Sequence, residues 1–133
     1  MKQEDKDLLL QDLCARLPYG VKCIVTKSRT EEGQKGDVGK IVNICLEGVG
    51  CIDTSPFFSE FGNFKPYLLP FSSMTEEQWE ELMFISEARM TFTPDRVIAA
   101  YKYTIEWFLK NHIDYNNLIG KGLAIDATNL NIY

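Results

Sequence analysis

The hydrophobic period of the chain changes twice, and that change decides its fold class. Leu9, Leu10, Leu13, Cys14 and Leu17 recur at the spacing of one helix face. Glu4, Asp5 and Asp7 fall in the first turn, where the helix dipole favours acids. A helix is predicted over 3–16, stopped by Leu17-Pro18-Tyr19-Gly20, since the residue before a proline avoids the helical region. In 20–27 the period drops to two. Val21, Cys23 and Val25 share one face of a strand, and Lys22, Ile24 and Thr26 share the other. Residues 39–46 are apolar on both faces except at Asn43, which predicts a central strand with cover. Glu47-Gly48-Val49-Gly50 reads as a turn, and Cys51-Ile52-Asp53 as the start of a third strand. The charged stretch 28–37, with Gly33 and Gly36, reads as a loop between the first two strands.

Helical spacing returns at Thr75. Thr75-Glu76-Glu77-Gln78 fits a capping box, and Trp79, Leu82, Met83, Ser86 and Met90 mark a partly apolar face. Thr93-Pro94 predicts a further helix start. Val97, Ile98, Tyr101, Ile105, Phe108, Leu109 and His112 form its expected core stripe. Asp114 is expected to cap a short last helix over 115–119, closed by Gly120, and the tail after Ala127 to be loose. The prediction is one α+β domain over 1–133. It has a small antiparallel meander of about three strands, an N-terminal helix and two to three C-terminal helices.

A chain of 133 residues buries about two-thirds of its surface, enough for a core without staples. Its net charge is −5. The one basic stretch, 22–40, sets Lys22, Lys27, Arg29, Lys35 and Lys40 against Glu31, Glu32 and Asp37. Nucleic-acid binding rests on neutralising phosphates, so no nucleic-acid partner is expected. Leu8-Leu9-Leu10 is too short for a signal sequence, and no run approaches the about 20 apolar residues of a membrane span. A cytoplasmic, reducing setting without a membrane partner is expected. Cys14, Cys23, Cys45 and Cys51 contain no C-x-x-C pair, so they read as small hydrophobes and no metal site is predicted. Gly120-Lys121-Gly122 lacks the rest of a phosphate loop, and Gly48 with Gly50 lacks the third glycine of a dinucleotide fingerprint. No cofactor is predicted. Glu76, Glu77, Glu80 and Glu81 read as a solvated helix start.

Two sets of residues compete as a functional site. His112, Asp114 and Tyr115 form the one polar constellation, which would suit a small enzyme or ligand-binding protein with a general base oriented by a carboxylate. The plainer reading makes His112 a cation at the end of the third helix and Asp114 a cap. The other set lies in 56–71, where Pro56, Pro66, Pro70 and Gly62 leave no clean period. That segment reads as an irregular wrapper with one helical turn near 58–61. It is dense in aromatics, and aromatics are enriched in interface cores. Phe57, Phe58, Phe61 and Tyr67 are therefore candidates for contact with an unidentified protein partner or a second copy. Catalysis is not expected.

Three blocks carry a resemblance: DLCARLPYGVK (12–22), FKPYLLPFSSMTEE (64–77) and WFLKNHIDYNNLIGKGLAIDA (107–127). In this order they resemble a family of short uncharacterised proteins of gut anaerobic bacteria and their phages or prophages. That family often has Arg in place of Leu69 and Met in place of Phe71. The resemblance implies a bacterial or phage cytoplasmic setting and carries no catalytic residue; the chain as a whole reads as a non-enzymatic accessory protein-interaction module.

Overall fold

The computed structural model describes residues 1–27, 34–87 and 94–133. Helix α1 (Gln3–Arg16) leads into strand β1 (Lys22–Val25). Strands β2 (Val38–Ile44), β3 (Gly48–Ile52), β4 (Pro56–Glu60) and β5 (Phe64–Leu68) follow. Helices α2 (Glu76–Glu87) and α3 (Pro94–Lys110) come next, and the short strand β6 (Ile125–Asp126) is the last element. The expected α+β class holds, but the sheet is larger than the predicted meander. Its six strands run in the order β4-β3-β2-β1-β5-β6, antiparallel except for β5 beside β6.

Two of the three added strands, β4 and β5, come from 56–71, which is a hairpin and not a wrapper, and the third is β6. Gly62, at φ 94, makes the turn between β4 and β5. The prolines hid both strands, yet each sits where a strand tolerates it. Pro56 opens an edge strand. Pro66 lies opposite Cys23. Thr26 N–H donates to Asn63 O at 2.8 Å, and counting along this register makes Ile24–Lys65 a hydrogen-bonded pair and Cys23–Pro66 a non-bonded one. The Pro66 nitrogen therefore faces away from β1. On its other side β6 pairs only from Tyr67 onward, so no ladder bond is lost.

Three boundaries also move. Residues 48–50 of the predicted turn lie inside β3, and the chain reverses at 45–47, where Cys45 N–H donates to Gly48 O at 2.9 Å. Strand β2 is covered on one face only: Lys40 and Val42 on its outer face are exposed, and a bulge between Ile41 and Asn43 leaves Asn43 exposed beside them. Residues 115–120 form turns instead of a last helix. The loop expected over 28–37 falls partly outside the described residues, as does the Thr93 cap. Its end is a turn pinned by Gly36 N–H donating to Val25 O at 2.8 Å.

Helix α1 lays Leu9 and Leu13 on one face of the sheet, against Val21, Cys23, Ile41, Val49, Phe64 and Leu68. Leu118, Leu123 and Ala124 return from the C-terminal segment to complete this core. A second cluster, Met74, Leu82, Trp107 and Ile113, lies under α2 and α3. The capping box forms as expected: Gln78 N–H donates to Thr75 Oγ1 at 3.2 Å, and Thr75 N–H to Gln78 Oε1 at 3.0 Å. The α3 stripe is only half a core. Leu109 is buried, and Ile105 and Phe108 are half-buried, while Ile98 and Tyr101 are exposed. Among the described side chains, α3 reaches the second cluster through Trp107 and Phe108. Among the described residues, no helix is long and apolar enough to cross a membrane.

Candidate functional site

Helix α3 ends at Lys110, and His112 stands beyond it at φ 60, in the left-handed region. Its carbonyl accepts from Leu69 N–H at 2.9 Å, and Asp114 N–H donates to Leu69 O at 2.8 Å, so residues 112–114 run beside the end of β5. The Asp114 carboxylate accepts from Leu118 N–H at 2.8 Å and Ile119 N–H at 2.9 Å. It is a cap, as expected, but of a turn. The Tyr133 ring lies flat on the His112 ring, with centroids 3.5 Å apart. The tail expected to be loose is thus docked. Lys22 N–H donates to the Tyr133 hydroxyl at 3.0 Å, and that hydroxyl donates to Tyr67 O at 2.7 Å. The phenol takes the place of the next ladder bond between β1 and β5.

This packing overturns the cationic reading of His112. Burial, then the charges of Arg16 and Lys22, lower its pKa from 6.5 to about 4. The ring is neutral at pH 7. Its Nδ1 is buried with no hydrogen-bond partner, so Asp114 does not orient the imidazole through that atom. The unfolded chain binds the extra proton first, so stability is full above pH 6.5 and falls as pH drops towards 4. Solvent reaches part of the ring, and the expected loss is about 1–2 kcal/mol after that screening. Urea unfolding at pH 7 and pH 4.5 measures it, and His112→Asn, which suits the left-handed backbone, is expected to flatten the difference. An equal pH slope in both proteins refutes the assignment.

Sequence reasoning missed the charged pair beneath this site. Asp12 and Arg16, 2% and 0% exposed, lie inside the core face of α1. Arg16 pairs with Asp12 through Nε and donates from Nη2 to Ile113 O at 2.8 Å. Asn116 Nδ2 donates to the other Asp12 oxygen at 2.8 Å. The guanidinium also stands 5.2 Å from the centroid of the Tyr115 ring. The signal was present: Leu9, Asp12, Leu13 and Arg16 share one helical stripe, with an acid and a base four apart inside it. The cluster joins α1 to 113–116, and most of its polar atoms are committed to that joint.

The aromatic candidates divide. Tyr67 is buried, 6% exposed, and offers a partner nothing. Phe57 and Phe61 are half-buried against the main core. Phe58 is half-buried and lines an open groove of ≈ 340 Å³ with Val42, Asn43, Gly50, Pro56 and Phe57. Larger apolar exposure lies elsewhere, on α2 and α3, at Met83, Phe84, Ile98 and Tyr101.

The cysteines are buried only in part. Cys14 and Cys45 are exposed, while Cys23 and Cys51 are buried with their sulfurs 3.4 Å apart. The hydrogen bond to Cys51, together with burial, pushes the Cys23 thiol above its ordinary value, so it stays protonated. Strands β1 and β3 flank β2, which sets the two Cα atoms about 9–10 Å apart, beyond disulfide reach without backbone movement. Among the described residues no three His, Cys, Asp or Glu side chains converge to hold a metal.

Comparison with protein families, curated proteins and solved structures finds no match.

Proposed function

We propose that this chain is a non-enzymatic protein-interaction module. One observation carries the reading: α2 and α3 leave Phe84, Ile98 and Tyr101 exposed by 72%, 67% and 72%. Apolar surface of this kind marks contact sites. Burying one such side chain gives about 1.5–3 kcal/mol, so a partner covering all three gains substantially. The acids Glu76, Glu77, Glu80 and Glu81 on α2 would discourage non-specific clustering through the helices. The polar set supports the same reading from the other side. Asp114 holds a turn, Asp12 and Arg16 hold a helix, and His112 lies under Tyr133. None is poised as an acid or base. The sequence resemblance adds a setting, an accessory protein of a bacterium or its phage acting in the cytoplasm.

The double variant Phe84→Ser/Tyr101→Ser tests this. Both side chains are exposed, so unfolding should shift by less than about 1 kcal/mol. Quantitative affinity capture from host cells should retain specific proteins on the natural chain and lose them on the variant. Equal capture by both, with the fold intact, overturns the reading.

A further inference from the structure

We propose that two copies of this chain pair edge to edge through β4, antiparallel about a two-fold axis at Phe58. This surface is separate from the helical face above, and either can fail alone.

The backbone sets the register. Phe61 N–H donates to Glu47 O at 3.0 Å and Asp53 N–H to Ser55 O at 3.4 Å, both in phase with the five β3–β4 pairs. Hydrogen bonding alternates along an antiparallel strand. Phe57 and Ser59 therefore turn their backbone groups towards β3, and Phe58 turns its N–H and C=O outward. Strand β4 is the edge of the sheet, and among the described residues no strand lies beyond it.

An open edge recruits another strand unless something blunts it. Of the usual devices β4 has only an edge proline and one charge, both at its ends, Pro56 and Glu60. It carries no lysine, and its register against β3 has no bulge. Its proline stands at the first position. With the axis at Phe58, the two copies of that residue exchange N–H···O bonds directly. Phe57 then faces Ser59 of the second copy, and Pro56 faces Glu60. Pro56 has no N–H to give. The Glu60 carbonyl opposite it already accepts from Asn63 N–H at 3.0 Å. The one donor the strand lacks falls against an acceptor in use, so the two-fold register leaves no new backbone vacancy there.

Side chains agree with this pairing. The two Phe58 rings become cross-strand neighbours on the outer face, a pairing that favours association. Gly50, opposite Phe58 on β3, brings no side chain of its own to the groove, and the Asn43 amide that lies over it accepts from Gly50 N–H at 3.1 Å. The two Glu60 carboxylates stand at opposite ends of the paired strands, about 13 Å apart, beyond the screening length at physiological salt. Five residues a side make a small interface, and the dimer is weak.

Sedimentation velocity from low micromolar to near millimolar protein is the test. The natural chain should pass from monomer to dimer. Phe58→Lys and Phe58→Glu each place like charges on the axis and should weaken association at least about tenfold. An equimolar mixture of the two should restore the dimer. A natural chain that stays monomeric at the highest concentration overturns the proposal. So does a dimer indifferent to Phe58→Lys, or a mixture that fails to recover. Amide exchange in the natural chain gives a check free of any variant. The Phe58 N–H should be protected more as concentration rises while the buried Leu68 is unchanged, and a Phe58 rate independent of concentration is a refutation.

Discussion

Asp12→Ala is expected to lower the free energy of unfolding by about 3–5 kcal/mol, the cost of leaving a buried charge without its partner. Arg16 is fully buried and its Nη1 already has no acceptor. Without Asp12 the guanidinium would keep only the Ile113 carbonyl and the face of Tyr115. Asn116 would lose its acceptor as well. Replacing both charges, as in Asp12→Leu/Arg16→Met, is expected to cost far less than the single change, because a well-packed apolar pair removes the desolvation penalty. Urea unfolding of the two variants decides it. A double variant less stable than Asp12→Ala would show that the pair does more than satisfy itself.

Gly48→Ala is expected to cost about 3 kcal/mol, at the upper end for overpacking. An added Cβ would stand 2.1 Å from Ser59 O and 2.8 Å from Glu60 Cα. Both are backbone atoms of β4, so relief requires the two strands to part. Gly50→Ala on the same strand is the control. The atoms nearest its Cβ would be those of the Asn43 side chain, at 2.5 Å, which can rotate away. Its expected cost is nearer 1 kcal/mol. Thermal unfolding of the two variants measures the contrast. Equal losses would mean that β4 yields as easily as one side chain.

Both features bear on how far the sequence could be read. Helix α1, the core of β1 to β3 and the capping box at Thr75 were legible because each is a local pattern with a known period. Strands β4 and β5 were not. Their prolines are breakers in a one-dimensional reading and become harmless only when a partner strand fixes which way each nitrogen faces. Asp12 and Arg16 pair locally within α1, but what buries them, the Ile113 carbonyl and Asn116, lies about a hundred residues away. His112 was visible as a candidate, but its neutral state depends on Tyr133, which packs over it from the far end of the chain. Ile98 and Tyr101 fit a core stripe by spacing alone. Spacing says which residues share a face and is silent about what covers that face.

The place of β1 between β2 and β5 has a consequence for the order of assembly. Strands β2, β3 and β4 are joined by short turns and can zip together from neighbours in the chain. The seam on the other side of β1 brings Cys23 beside Pro66. Closing it spans a loop of about forty residues, whose entropy is lost before any contact repays it. Of the two seams beside β1, that one is therefore the later to close. The Tyr133 hydroxyl spans one end of that seam, between Lys22 and Tyr67. It works as a clasp, fastened after the strands meet and unfastened before they separate.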